Sequence, residues 1–234
     1  MSQIRDANRR GRTRTSWLDS LHTFSFADYY DPYNMGFGVL RVINDDIVAP
    51  DGGFGTHHHD NMEILSIVLT GELEHRDSTG ETEILKPGEV QRMTAGSGIL
   101  HSEYNPSSVK PVHFLQIWIT PNQQNLTPEY EQKKFSREKM HNKMCLIASQ
   151  NGKDGSLKIH QNVKVYQMLL DQDKTISFSL NHERRYWFQV AMGSIKIEKE
   201  LLQEGDGFSV FDETRTVNIT GIAESSNIIV FDLP

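Results

Sequence analysis

The stretch ILSIVLTGELEHRDSTGETEILKPGEV, residues 64–90, carries the reading of the fold. Ile64 to Thr70 is a short apolar run rich in β-branched residues and ended by a glycine, the pattern of a strand. Ser78-Thr79-Gly80 and Lys86-Pro87-Gly88 are turn signals, and Glu83 to Leu85 is a brief return strand between them. The same cadence recurs later in the chain. Leu69-Thr70-Gly71-Glu72-Leu73 followed by Leu85-Lys86-Pro87-Gly88-Glu89-Val90 is echoed by Ala191-Met192-Gly193-Ser194-Ile195 followed by Leu202-Gln203-Glu204-Gly205-Asp206-Gly207-Phe208. Each copy reads as a strand, a glycine turn, a return strand and a glycine-acid turn that opens the next strand. This predicts a duplicated β module.

Working outward, strands are expected at Val112 to Thr120, Val163 to Leu170, Thr175 to Leu180 and Trp187 to Met192, with Asp51-Gly52-Gly53 as a further turn. Strands this closely spaced predict an all-β sandwich or barrel rather than a sheet with crossover helices. One helix is expected: Thr127 can cap it, Pro128 suits its first turn, and Glu129 complements its dipole. The polar segment from Pro121 to about Met140 then reads as a partly helical connection. The expected division is 1–120, a linker at 121–145, and 146–234.

Composition excludes several classes of function. A formal charge of −7 argues against direct nucleic-acid binding, which needs positive charge against phosphates. Arg5, Arg9, Arg10, Arg12 and Arg14 form a local exception, read as a solvated face. No apolar run approaches the ~20 residues that span a bilayer, and the first fifteen residues are charged where a signal peptide would be apolar. Cys145 is the only cysteine, so the chain has no internal disulfide, which fits a reducing, cytoplasmic setting. Within Met144-Cys145-Leu146-Ile147 it reads as a small buried hydrophobe.

Chemistry concentrates in Gly55-Thr56-His57-His58-His59. On a strand, His57 and His59 share a face and His58 takes the other. Gly98-Ile99-Leu100-His101-Ser102-Glu103-Tyr104-Asn105 repeats the two-residue spacing with His101 and Glu103. Two such pairs meeting across a barrel would supply three imidazoles and one carboxylate to a single metal. Elsewhere, His182-Glu183 beside Arg184-Arg185 lacks the spacing and reads as a solvated turn. His160 is isolated and reads as structural.

This arrangement resembles the two motifs of the cupin superfamily: Gly53, His57, His59, Glu63 and Gly71, then Gly88, Gly96, Gly98, His101 and Asn105, with Thr94 where a proline is often found. More specifically, the chain resembles bacterial members of the pirin family. The resemblance rests on Trp17-Leu18-Asp19-Ser20, His22-Thr23-Phe24-Ser25-Phe26, Tyr30-Asp31-Pro32 and Leu40-Arg41-Val42-Ile43-Asn44-Asp45-Asp46. It continues through the three histidines with Met62-Glu63-Ile64-Leu65, Tyr130-Glu131-Gln132, Asp154-Gly155-Ser156-Leu157-Lys158 and the closing Phe231-Asp232-Leu233-Pro234. It implies two cupin barrels, double-stranded β-helices of the jelly-roll type, with metal only in the first.

Two carboxylates compete for the fourth ligand position. The general cupin pattern favours Glu63, while the pirin pattern carries over to Glu103, which also stands to His101 as His59 stands to His57. Glu103 is taken as the ligand and catalytic base, and Glu63 as an alternative ligand or an acceptor for a ligand imidazole N–H. Three imidazoles and a carboxylate suit Fe(II), Zn, Mn, Ni or Cu; the resemblance favours Fe(II). It implies a quercetin 2,3-dioxygenase activity, in which a planar flavonol and O2 react, the heterocycle opens and carbon monoxide leaves. Phe37, Phe54, Met62, Met93 and Ile99 are candidate pocket residues by their nearness to the motifs. The alternatives are a non-catalytic metal-binding regulator acting on a protein partner, and a cupin enzyme for another small molecule.

Overall fold

The computed structural model describes residues Met1–Pro234, almost entirely as antiparallel strands. The strands form two compact units, each made of a larger and a smaller sheet. The first unit takes residues 11–134 and 157–161. Its larger sheet runs in the order Glu129–Lys134, Glu89–Thr94, Glu63–Thr70, Val112–Ile119, Leu40–Val48, Leu18–His22, Gly11–Arg14. Its smaller sheet runs Gly53–His59, Ile99–Tyr104, Leu73–Asp77, Thr82–Leu85.

The second unit takes residues 1–10, 135–156 and 162–234. Its larger sheet runs Ser2–Arg5, Gly207–Phe211, Arg185–Met192, Ser225–Leu233, Lys164–Asp171, Cys145–Ser149. Its smaller sheet runs Thr175–Ser179, Thr216–Gly221, Ser194–Ile197, Glu200–Gln203.

The duplicated cadence is a duplicated backbone. Gly71 and Gly193 have φ of +81° and +80°, and Gly88 and Gly205 both have +86°. A Cβ on Gly71 would lie 2.7 Å from the Pro111 carbonyl oxygen, and one on Gly193 would lie 2.6 Å from that of Ser225. In each unit the glycine therefore turns the chain tightly under the start of a neighbouring strand, in a conformation that side chains resist.

One expectation is corrected. The predicted helix after Thr127 is absent, because Glu129–Lys134 pairs antiparallel with Glu89–Thr94 as an edge strand. Pairing, with Tyr130 stacked on His75 at 4.7 Å, overrides the local capping signals, which are weak beside tertiary contacts. α-Helix is confined to Arg137–Met140, with single 3-10 turns at Ala7–Arg9 and Lys153–Gly155. Ser2–Arg5 pairs with Gly207–Phe211, so the N-terminal strand belongs to the compact unit that holds residues 162–234. No helix is long and apolar enough to cross a membrane.

Candidate metal centre

The smaller sheet of the first unit brings the two histidine motifs together. His57 pairs with His101 and His59 with Ile99 across adjacent antiparallel strands. Between His101 and Glu103 the register shifts, so that Glu103 lies opposite Phe54. Gly55 and Thr56 together oppose Ser102 in this β-bulge, a device that re-aims side chains. The His57 Nδ1–H donates to the Gly55 carbonyl at 2.8 Å, which leaves Nε2 with a free lone pair. His58 points outward, beside Asp60.

The three rings lie with centroids 4.4–4.8 Å apart, and one ligand nitrogen of each falls within 4.8 Å of the others. His101 places Nε2 3.0 Å from His57 Nε2 and Nδ1 3.5 Å from His75 Nδ1. His75 is fully buried, and its Nε2–H donates to Asp77 at 2.9 Å. Its Nδ1 is therefore an acceptor, facing the amide of Gln91 at 3.3 Å and the N–H of His101. This ordering leaves the lone pair of His101 Nε2 aimed at that of His57. Two lone pairs facing at 3.0 Å repel unless a cation lies among them. His59 Nε2 is buried without a hydrogen-bond partner, an arrangement that costs free energy if nothing occupies it. The residues therefore fit a metal.

Electrostatics point the same way. Burial, with His57 and His59 adding, pushes His101 down to about 2; burial, with His57 and His58, takes His59 down to about 4. Both imidazoles are neutral, the form that ligates. Glu103 is fully buried, and burial, reinforced by the nearby Asp46, pushes it up to about 7. Gln116 Nε2 donates to its Oε2 at 2.6 Å and Ser66 to its Oε1 at 3.3 Å. An oxygen of Glu103 lies within 4.8 Å of ring nitrogens of His75 and His101.

Glu63 takes neither role expected of it beside the ligand histidines. It is fully buried, but its carboxylate accepts from the backbone N–H of His160 at 3.2 Å and lies 3.4 Å from the His160 ring. The Asp60-Asn61 turn resets the strand face after His59, with Asn61 at φ +47°. His160 is thus the partner of Glu63, not an isolated residue.

Of the expected pocket residues, Met62, Met93 and Ile99 gather with Ile64 and Trp118 in one apolar cluster. Trp118 stands edge-on to His59 at 4.8 Å and to Phe26 at 5.3 Å. Phe54 packs instead with Trp17 in a separate cluster around Phe114, and Phe37 sits in a bridge to Leu40. Sequence reasoning missed His75, Gln116 and Trp118. The alternation Leu73, His75, Asp77 on one strand face was the available signal for the first of these.

Comparisons with known proteins show the family and the fold. A family model described as "Pirin" matches residues 3–119, and one described as "Quercetinase C-terminal cupin domain" matches residues 146–233. The chain belongs to the pirin family. A relative from Escherichia coli (strain K12) named quercetin 2,3-dioxygenase is 46% identical over 234 residues, covering 100% of this chain and 99% of the relative. The crystal structure of YhhW from Escherichia coli superposes with a TM-score of 0.95 at 46% identity, covering 100% of this chain and 98% of that one. The nickel(II) complex of the bacterial pirin YhhW gives a TM-score of 0.94 at 45% identity, with 100% and 99% coverage. Pirin-family membership and the two-barrel architecture implied by the motifs are thereby established.

Proposed function

We propose that this chain is a metal-dependent dioxygenase that opens the heterocycle of flavonols such as quercetin with O2, releasing carbon monoxide, and that it works in the cytoplasm. The observation that carries the reading is the convergence of the His57, His59 and His101 ring nitrogens, with His59 Nε2 buried and without a protein partner, while the buried carboxylate of Glu103 groups with His101 and His75. The names of the full-length relatives support the substrate class, and the nickel in the bacterial pirin supports a single transition metal. Fe(II) is the proposed native ion, held by His57, His59, His101 and Glu103.

Bound there, a divalent metal supplies Lewis acidity that lowers the pKa of the flavonol 3-hydroxyl. Glu103 would accept the proton of that hydroxyl on loosening from the metal, since a metal-bound carboxylate is a weaker base. Gln116 and Ser66 hold the carboxylate in place, and Gln116 Oε1 in turn accepts from the Trp118 indole N–H at 3.2 Å. Trp118 and Met62, with Met93 and Ile99 behind them, present an apolar wall suited to a flat aromatic ligand. His75 and Asp77 fix the ring of His101 from behind, the outer support that ligating histidines need.

The test is reconstitution of metal-free protein with Fe(II), Ni(II), Mn(II), Cu(II) and Zn(II), following quercetin loss, O2 uptake and carbon monoxide together. One carbon monoxide per quercetin and per O2 is expected with at least one metal. Absence of stoichiometric carbon monoxide with every metal overturns the reading. Glu103→Ala should lose bound metal while Glu63→Ala keeps it; the reverse would move the fourth ligand to Glu63.

A further inference from the structure

The second unit carries a cavity of about 490 Å³, within the ~300–1,000 Å³ range of small-molecule sites. Its walls include Lys164, Tyr166, Phe178, Arg184, Tyr186 and Asp232. Strand register gives its place. In the first unit Val42, Trp118 and Ile64 lie side by side on adjacent strands, and Trp118 borders the histidine cluster. In the second unit the corresponding row is Lys164, Asp232 and Tyr186. Ile64 and Tyr186 each precede the matching turn glycine, Gly71 or Gly193, by the same interval. The cavity therefore occupies the part of the second barrel that, in the first, borders the candidate metal centre.

Its lining differs in kind. The Arg184 guanidinium donates to Asp232 at 2.5 Å and to the carbonyls of Asp232 and Asn162 at 2.9 and 3.0 Å. The Lys164 ammonium reaches the other Asp232 oxygen at 3.1 Å and remains half exposed. Two cations on one carboxylate leave the site one positive charge. Phe178 stands edge-on to Tyr166 at 5.9 Å and to Tyr186 at 5.6 Å, so three rings form one aromatic wall. The Tyr186 hydroxyl accepts from the Asn181 N–H at 2.9 Å and keeps its own proton to donate. Burial raises the pKa of both tyrosines, so both are neutral donors.

We propose that this cavity binds a small planar aromatic carboxylate, its ring against Tyr166, Phe178 and Tyr186 and its carboxylate on the Lys164 ammonium. A single net positive charge suits a monoanion, and the aromatic wall selects a ring over an inorganic anion. The site is independent of the metal reading, because none of its residues belongs to the first unit.

The probe is 4-hydroxybenzoate, titrated into metal-free full-length protein by calorimetry and by NMR. Saturable one-site binding is expected. Lys164→Met removes a half-exposed cation while Arg184 still pairs with Asp232, and it should weaken binding about tenfold. The neutral isostere 4-hydroxybenzamide should bind wild type correspondingly weakly. Phe178→Ala should weaken 4-hydroxybenzoate further, and Lys164→Met carries the test alone if that variant does not fold. Four results would overturn the proposal: no saturable binding at millimolar probe, affinity unchanged in Lys164→Met, equal affinity for the amide, or binding lost in His101→Ala.

Discussion

The two barrels share a backbone and differ in what fills them. In the first, the central row across the larger sheet is Gln91, Ser66, Gln116 and Asn44; in the second it is Phe208, Phe188, Val230 and Tyr166. One row further in, Asp46 of the first barrel corresponds to Met168 of the second. The smaller sheets differ likewise. His57 faces His101 in one, whereas the inward pairs of the other are Phe178 with Val217 and Ile176 with Ile219. A buried carboxylate such as Glu103 survives only with donors around it. Ser66 and Gln116 supply them in the first barrel, and Phe188 and Val230 offer none at the matching positions. The polar interior costs stability and creates a site; the apolar interior stabilises the fold.

Four experiments break or sharpen this contrast. The largest effect is expected from His101→Ala, which should abolish stoichiometric metal binding, measured by elemental analysis after loading, and turnover with it. Retained metal at wild-type affinity would remove His101 from the ligand set. Phe188→Ala, at the centre of the second barrel and fully buried, should cost about 3–5 kcal/mol in denaturant unfolding. It should leave metal stoichiometry unchanged in the folded protein; metal loss there would show that the two interiors do not have separate roles.

His75→Gln is expected to weaken metal affinity by roughly 10–100-fold in chelator competition, the scale of an outer partner of a ligand histidine. Co(II) spectra of the variant should report an altered ligand field, and an unchanged spectrum and affinity would reduce His75 to packing. The smallest effect concerns Asp46, where burial, and secondarily Asp45, raises the carboxyl to about 7 against hydrogen bonding from Ser20. A carboxyl with a raised folded pKa holds its proton more tightly when folded. Its contribution is therefore favourable at low pH and is lost as pH rises from about 4 to about 7. Asp46→Asn in metal-free protein should flatten that part of the stability profile, with the gain over wild type largest above pH 7. A steeper profile would contradict the raised pKa. Met168 at the matching place gives the second barrel no such slope.

Much of this was legible in the sequence because it is local. The period-two alternation of His57 with His59 and of His101 with Glu103 sets their faces whatever the rest of the chain does. The glycine turns at Gly71, Gly88, Gly193 and Gly205 follow from positive φ, which their own residue type permits. The duplication, the all-β class and the three histidines were readable on those grounds.

Only the tertiary structure decided what depends on pairing between distant strands. Glu63 and Glu103 are both buried carboxylates near the motifs, and neither spacing nor composition shows that one turns to His160 and the other to Gln116. The bulge at Gly55-Thr56 arises from a length mismatch between two strands, which no single strand reveals. Glu129–Lys134 carries helix signals and becomes a strand because an open sheet edge accepts its backbone hydrogen bonds. Ser2–Arg5 joins the second barrel for the same reason, some two hundred residues away in sequence. Alternation along one strand is encoded residue by residue, whereas register and edge pairing are settled only when the whole sheet closes.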